Sequence, residues 1–300
     1  MPSETKHTHY PTLFHALILL AIFFIITTVA ALIASFTLAR VLSESMNMLI
    51  TYSISFSGAI FVGLLFRRMK SGATARFSFS AGKRAIYPLL IGLTLTIVAL
   101  LDPITDLIPM PDFMMQLFLK LLADRSYPTF VLMVIAAPLL EEFLFRGIML
   151  DGFLRNYSAR KSIVFSSLFF ALAHLNPWQF IVAFSLGLLI GYVYVHTKSL
   201  LPCMFIHFIA NVAGYFARFL FDVDETQFIT TRELIGNNFL YAAILLLCGI
   251  LAFVLFKHLS RILVAPDGKS ATTFQFENKR EIGTASSVWG AKDTAQQGLE

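Results

Sequence analysis

The chain has 300 residues, of which 57% are hydrophobic and only 14% charged. Soluble domains run about 45–50% apolar and about 25% charged, so this composition excludes an ordinary soluble enzyme and places the chain among membrane proteins. The formal net charge of +5 does not call for a nucleic-acid partner, because surplus Lys and Arg in a membrane protein usually collect in cytoplasmic loops.

A spanning helix needs about 20 mostly apolar residues. The first apolar stretch, 14–39, is too long for a signal-peptide core of about 7–15 residues, and reads as an uncleaved first span. Seven more candidates follow at 48–66, 86–101, 128–150, 162–175, 178–196, 199–220 and 237–256. Only "NPW" separates the fifth from the sixth, which predicts a tight helical hairpin. The expected fold is therefore all-α, a polytopic bundle of about eight transmembrane helices forming one domain over 1–264. Within 102–127, "DFMMQLFLKLLADR" has amphipathic spacing and fits either a helix in the outer interface or a partly ordered loop. Cys203 and Cys248 lie in apolar runs and suggest neither a disulfide framework nor a cysteine metal cluster. The tail, 265–300, is polar and without periodicity, which predicts a flexible cytoplasmic extension.

Orientation follows from the basic residues. The loop after the second candidate holds Arg67, Arg68, Lys70, Arg76, Lys83 and Arg84. The loop after the fourth holds Arg155, Arg160 and Lys161, and the loop after the sixth holds Lys198. All fall on one side if both termini are cytoplasmic.

Ionisable groups at membrane depth are costly and mark function by default. Four constellations at i, i+4 spacing stand out, each placing two residues on one helix face. Glu142 and Arg146 can pair along the fourth candidate, either as an ion pair locking helices or as part of a site. Glu141 is turned about 100° from Glu142 and needs another partner or water. A carboxylate without a cation in a low dielectric favours its neutral form, and a glutamate so tuned suits general-base work. Phe170 and His174 sit in "FFALAH", where the histidine, taken alone, is more simply a satisfied core residue and the Phe a packing residue. Gly187 and Gly191 in "GLLIG" read as a close helix-packing contact. His207 and Asn211 in "HFIAN" either bind a carbonyl oxygen or water, or hydrogen-bond between helices. Counting about 1.5 Å of rise per residue brings these groups to a common band near the midplane.

"EEFLFR", "FALAH" and "HFIAN", in this order on successive helices, fit EExxxR, FxxxH and HxxxN. Over about residues 128–215 the chain resembles the CAAX prenyl endopeptidase and bacteriocin-processing family, also called CPBP or Abi, which includes the Ras-converting enzyme. The resemblance implies an intramembrane glutamic endopeptidase with a polar chamber. It assigns Glu141 as the base that activates water, His174 as its assistant, and His207 with Asn211 as stabilisers of the oxyanion. Glu142 and Arg146 become supporting residues. No position departs from the pattern.

Relatives have also been described as metal-dependent, and Glu141, His174 and His207 form the alternative zinc set. The arginine beside both glutamates opposes a cation, and no HExxH helix is present, so the expectation is catalysis without a cofactor. The expected partners are membrane lipids and a peptide or membrane-protein substrate, lipidated in the eukaryotic relatives. The expected location is a bacterial plasma membrane. Two other classes stay open: a transporter or proton and cation pathway using the same groups, and a non-catalytic immunity or scaffold protein.

Overall fold

The computed structural model describes residues 9–71, 77–220 and 230–264. The expected tail, 265–300, lies outside these residues. The described residues form ten helices and no strands: α1 (Leu13–Thr37), α2 (Glu44–Ser71), α3 (Ile86–Asp106), α4 (Asp112–Ala123), α5 (Tyr127–Asn156), α6 (Ala159–Leu172), α7 (Pro177–Thr197), α8 (Leu200–Leu220), α9 (Thr231–Ile235) and α10 (Asn238–Val264). Seven of them are long and apolar enough to cross a membrane: α1, α2, α3, α5, α7, α8 and α10. The chain is an all-α polytopic membrane protein. The amphipathic stretch at 102–127 supplies α4.

The fifth expected span, 162–175, differs. Helix α6 has 14 residues, about 21 Å at the α-helical rise, against a hydrocarbon core of about 30 Å. It ends early because the chain reverses there. Leu175 adopts a left-handed conformation with φ 54°, and the Asn176 side chain accepts from Gln179 N to cap α7, with Pro177 at its first position. The hairpin is present, and because α6 ends at Leu172, His174 falls in the turn between α6 and α7.

Helix α5 is the axis of the bundle. One of its faces joins α1, α2 and α6 through Leu19, Phe23, Phe56, Leu144, Phe145, Ile148 and Phe169. At Leu150 it reaches a second cluster with Ile86, Leu90, Ile190, Val193, Cys203 and Ile206 of α3, α7 and α8. Small residues let α6 and α7 meet closely. A Cβ on Gly187 would stand 2.9 Å from Ser167 Cβ, and one on Gly191 would stand 3.0 Å from Ile163 Cγ2.

Hydrogen bonds gather the basic loops at one end of the bundle. Arg67 pairs with Asp151 at 2.5 Å, Asn156 donates to the His9 carbonyl, Lys83 to the Ile262 carbonyl, and Ser199 to the carbonyls of Ser78 and Ser80. At the other end, Lys120 reaches Glu44, Thr231 and Tyr241 donate to Asp102, and Trp178 donates to the Ile108 carbonyl. Burial lowers the pKa of Lys198 at the basic end, the neighbouring Arg155 adding to the effect and Asp151 opposing it.

Candidate active site

Helix α5 is not a regular α-helix. It widens to π geometry over Val131–Ala136 and again over Phe143–Leu150, with one α-helical stretch, Ala137–Glu142, between. Pro138 has no N–H to continue the regular ladder, which accounts for the first widening. Carbonyls in both widened stretches accept from side chains of neighbouring helices. Met133 O accepts from Asn211 Nδ2 at 2.7 Å, Phe145 O from Ser166 Oγ at 2.9 Å, and Gly147 O from Arg67 at 3.4 Å. π-Bulges recur at functional sites, where they re-aim side chains. Here they flank the two glutamates.

Glu142 and Arg146 are fully buried and pair at 2.8 Å along α5. The same Glu142 Oε1 accepts from His207 Nδ1 of α8 at 2.9 Å. Glu141 is held by another element: Oε1 accepts from the hydroxyl of Tyr52 on α2. Its Oε2 stands 3.9 Å from His207 Nε2. His207 thus lies between both carboxylates. A neutral imidazole donates from one nitrogen only. With Nδ1–H given to Glu142, Nε2 is a donor only when the ring is an imidazolium. Four buried polar atoms of the cluster have no protein partner: Glu141 Oε2, Glu142 Oε2, and Nε and one terminal nitrogen of Arg146.

Phe170 organises the aromatic side of the cluster. The Arg146 guanidinium lies over its ring at 4.4 Å, a cation–π contact. The rings of His174 and His207 meet it edge-on at 5.1 and 5.5 Å. His174 sits in the turn just beyond α6 rather than on the helix. Its Nδ1 donates to the Phe170 carbonyl at 2.9 Å, which turns the other nitrogen away from the backbone.

A cavity of about 540 Å³ opens beside the cluster, between α3, α4, α6, α7 and α8. Phe170, His174, Trp178, Gln179, His207 and Asn211 line it, with Thr105, Asp106, Thr230 and apolar residues completing the wall. Glu141 is behind this wall, reached past His207. The structure therefore joins Glu141, Glu142, Arg146 and His207 directly, and brings His174 and Asn211 to the same cavity without a contact between them. Gly187 and Gly191 lie in the α6–α7 contact, outside the polar cluster.

Among the described residues no three His, Cys, Asp or Glu side chains are placed to hold a metal ion, and the paired Arg146 already neutralises one carboxylate.

Tyr52 was not readable as a site residue. It lies 89 positions from Glu141, and a single tyrosine in an apolar span has no spacing signal.

Residues 123–213 match the profile of the family described as type II CAAX prenyl endopeptidase Rce1-like. Over this segment the chain is similar to the CAAX prenyl endopeptidase family. The segment holds every residue of the cluster except Tyr52. The membrane-embedded CAAX protease MroQ of Staphylococcus aureus (strain USA300) is 37% identical over 95 residues, which cover 29% of this chain and 38% of that protein. The matched part is thus well under half of the relative's length. No solved structure matches the chain.

Proposed function

We propose that the protein is an intramembrane endopeptidase that hydrolyses a peptide bond through a glutamate-activated water. The observation that carries this reading is Glu141: a buried carboxylate fixed at one oxygen by Tyr52, with its second oxygen unpartnered and turned toward a histidine on a cavity wall. The family match over 123–213 and the relative named as a CAAX protease support it.

In this reading a water enters past His207 and gives its proton to Glu141 Oε2 as its oxygen attacks the scissile carbonyl. Negative charge then develops on the carbonyl oxygen, where preorganised donors lower the barrier. His207 supplies Nε2–H in its imidazolium form. Asn211 has two N–H donors; one is given to Met133 O, and the other is free for the oxyanion. The tetrahedral intermediate then collapses, the C–N bond breaks, and Glu141 returns its proton to the leaving amine; His174 assists by orienting the water or that amine. Glu142 and Arg146 hold His207 in place. No step needs a metal.

The substrate is a peptide or a membrane-protein segment, with apolar groups suited to the cavity wall. The basic end faces the cytoplasm of a bacterial cell, which agrees with the gathered basic loops.

The test is cleavage of a fluorogenic peptide, lipidated and unlipidated, by purified protein. Wild type cleaves at least one, Glu141→Ala and His207→Ala do not, and a strong chelator has no effect. Loss in chelator with recovery on added zinc overturns the metal-free reading. Ion flux through reconstituted vesicles without any cleavage overturns the protease and favours a transport pathway through the same groups.

A further inference from the structure

A second concavity lies on the outside of the bundle, away from the polar cluster. It is a groove of about 500 Å³ between α3, α6, α7 and α10, lined by Ile97, Val164, Leu188, Tyr192, Phe256 and, at its end, Arg160, among others. It lies beside the close packing of α6 on α7, where Gly191 meets Ile163 of the groove lining. The ring of Tyr192 packs on Phe256 at 5.2 Å and forms its side.

Its depth and charge are both informative. Arg160 is at the start of α6, at the basic end. Ile97 lies eleven residues into α3 from the same end, and Ser185 twelve residues from the end of α7. These separations correspond to about 16 and 18 Å of helix. The groove therefore runs through about one leaflet of a hydrocarbon core of about 30 Å. Arg160 is exposed and has no partner among the described residues, and the next residue is Lys161. Asp151, the acid at this end, is already held by Arg67 and Arg155.

Hydroxyls supply a second, independent observation. Several helical Ser and Thr hydroxyls elsewhere in the bundle fold back onto the carbonyl four residues earlier, as Thr27, Ser53, Ser55, Thr94, Ser167 and Thr197 do. Ser185, which lines the groove, makes no such bond, and neither its hydroxyl nor that of Tyr192, also in the lining, has a hydrogen-bond partner among the described residues. A polar group facing hydrocarbon without a partner is unfavourable. One cation at the interface, two unpartnered hydroxyls and an apolar trough one leaflet deep match one ligand chemistry.

We propose that this groove binds an anionic phospholipid, with its phosphate on Arg160 and an acyl chain along Val164, Leu188 and Phe256. The site is separate from the proposed protease centre and does not depend on that reading. It would make the lipid a structural partner of the α6–α7 hairpin, whose turn carries His174.

The test is native mass spectrometry of protein taken from mixed micelles containing phosphatidylglycerol and phosphatidylcholine of identical acyl chains. Wild type retains phosphatidylglycerol preferentially. Arg160→Glu lowers its retention about fivefold or more, given the attraction of one basic residue to an anionic lipid surface. Arg84→Glu makes the same charge change at the same end outside the groove, and leaves retention close to wild type. Val164→Trp, which fills the trough without touching any charge, lowers retention as well, and excess glycerol phosphate does not displace the lipid. Both positions are at the surface, and gel filtration of each variant verifies the fold. Equal retention of the two lipids, equal loss in Arg160→Glu and Arg84→Glu, no effect of Val164→Trp, or displacement by glycerol phosphate each overturns the proposal.

Discussion

Helices α5 and α10 are both apolar enough to span a bilayer, yet they are built for opposite surroundings. Half of the most apolar window of α5 is buried in protein, against 6% of that of α10. Helix α10 turns Leu246, Leu247, Ile250 and Phe253 outward, where hydrocarbon replaces protein as the neighbour. Helix α5 carries two glutamates and an arginine in its centre, and α8, α6 and α2 supply His207, Phe170 and Tyr52 around them. Length does not separate the two helices; the lower hydropathy of α5 does, together with the partners its polar groups find inside the protein. Within α5 the groups also divide. Glu142 and Arg146 are mutually paired, whereas Glu141 leaves one oxygen open.

The largest expected break in this contrast is chemical. Glu141→Gln keeps the size and the Tyr52 contact but removes the proposed base, and lowers cleavage about 10²–10⁴-fold, the usual worth of general-base catalysis. Next is the ion pair. Arg146→Leu leaves Glu142 buried without its cation and destabilises the fold by about 3–5 kcal/mol, read as a lower unfolding midpoint in detergent. Tyr52→Phe deletes one hydrogen bond to a charged group, worth about 1.5–3 kcal/mol, and reduces the turnover rate more than it changes substrate binding. Gly187→Ala forces a Cβ against Ser167 and costs about 1–3 kcal/mol of stability by overpacking the α6–α7 contact. Leu247→Ala on α10 sharpens the comparison from the other side: it lies 64% exposed, and should shift stability by less than about 0.5 kcal/mol.

Much of this was legible in the chain because helical periodicity is local. "EEFLFR", "FALAH" and "HFIAN" are i, i+4 pairs, and their order along the chain is enough to suggest a shared site. The basic loops likewise point to one end of the bundle, and the hydrogen bonds among 67–85, 151–156 and 198–199 gather them there. Three features were not legible. Tyr52 reaches Glu141 only because α2 packs against α5, a tertiary fact with no local spacing. The π widenings depend on side-chain donors from α2, α6 and α8 satisfying the released carbonyls. The short α6 depends on Asn176 and Pro177 restarting the helix, so that His174 lies in a turn and not on a full-length span.

The most direct test of the central claim compares stability and cleavage in one variant. The paired charges of α5 are assigned to the fold and Glu141 to the chemistry. Purified Glu141→Gln should therefore unfold at or above the wild-type midpoint while losing cleavage of a peptide that wild type hydrolyses. A Glu141→Gln protein that still cleaves, or one that unfolds as early as Arg146→Leu, would contradict that division.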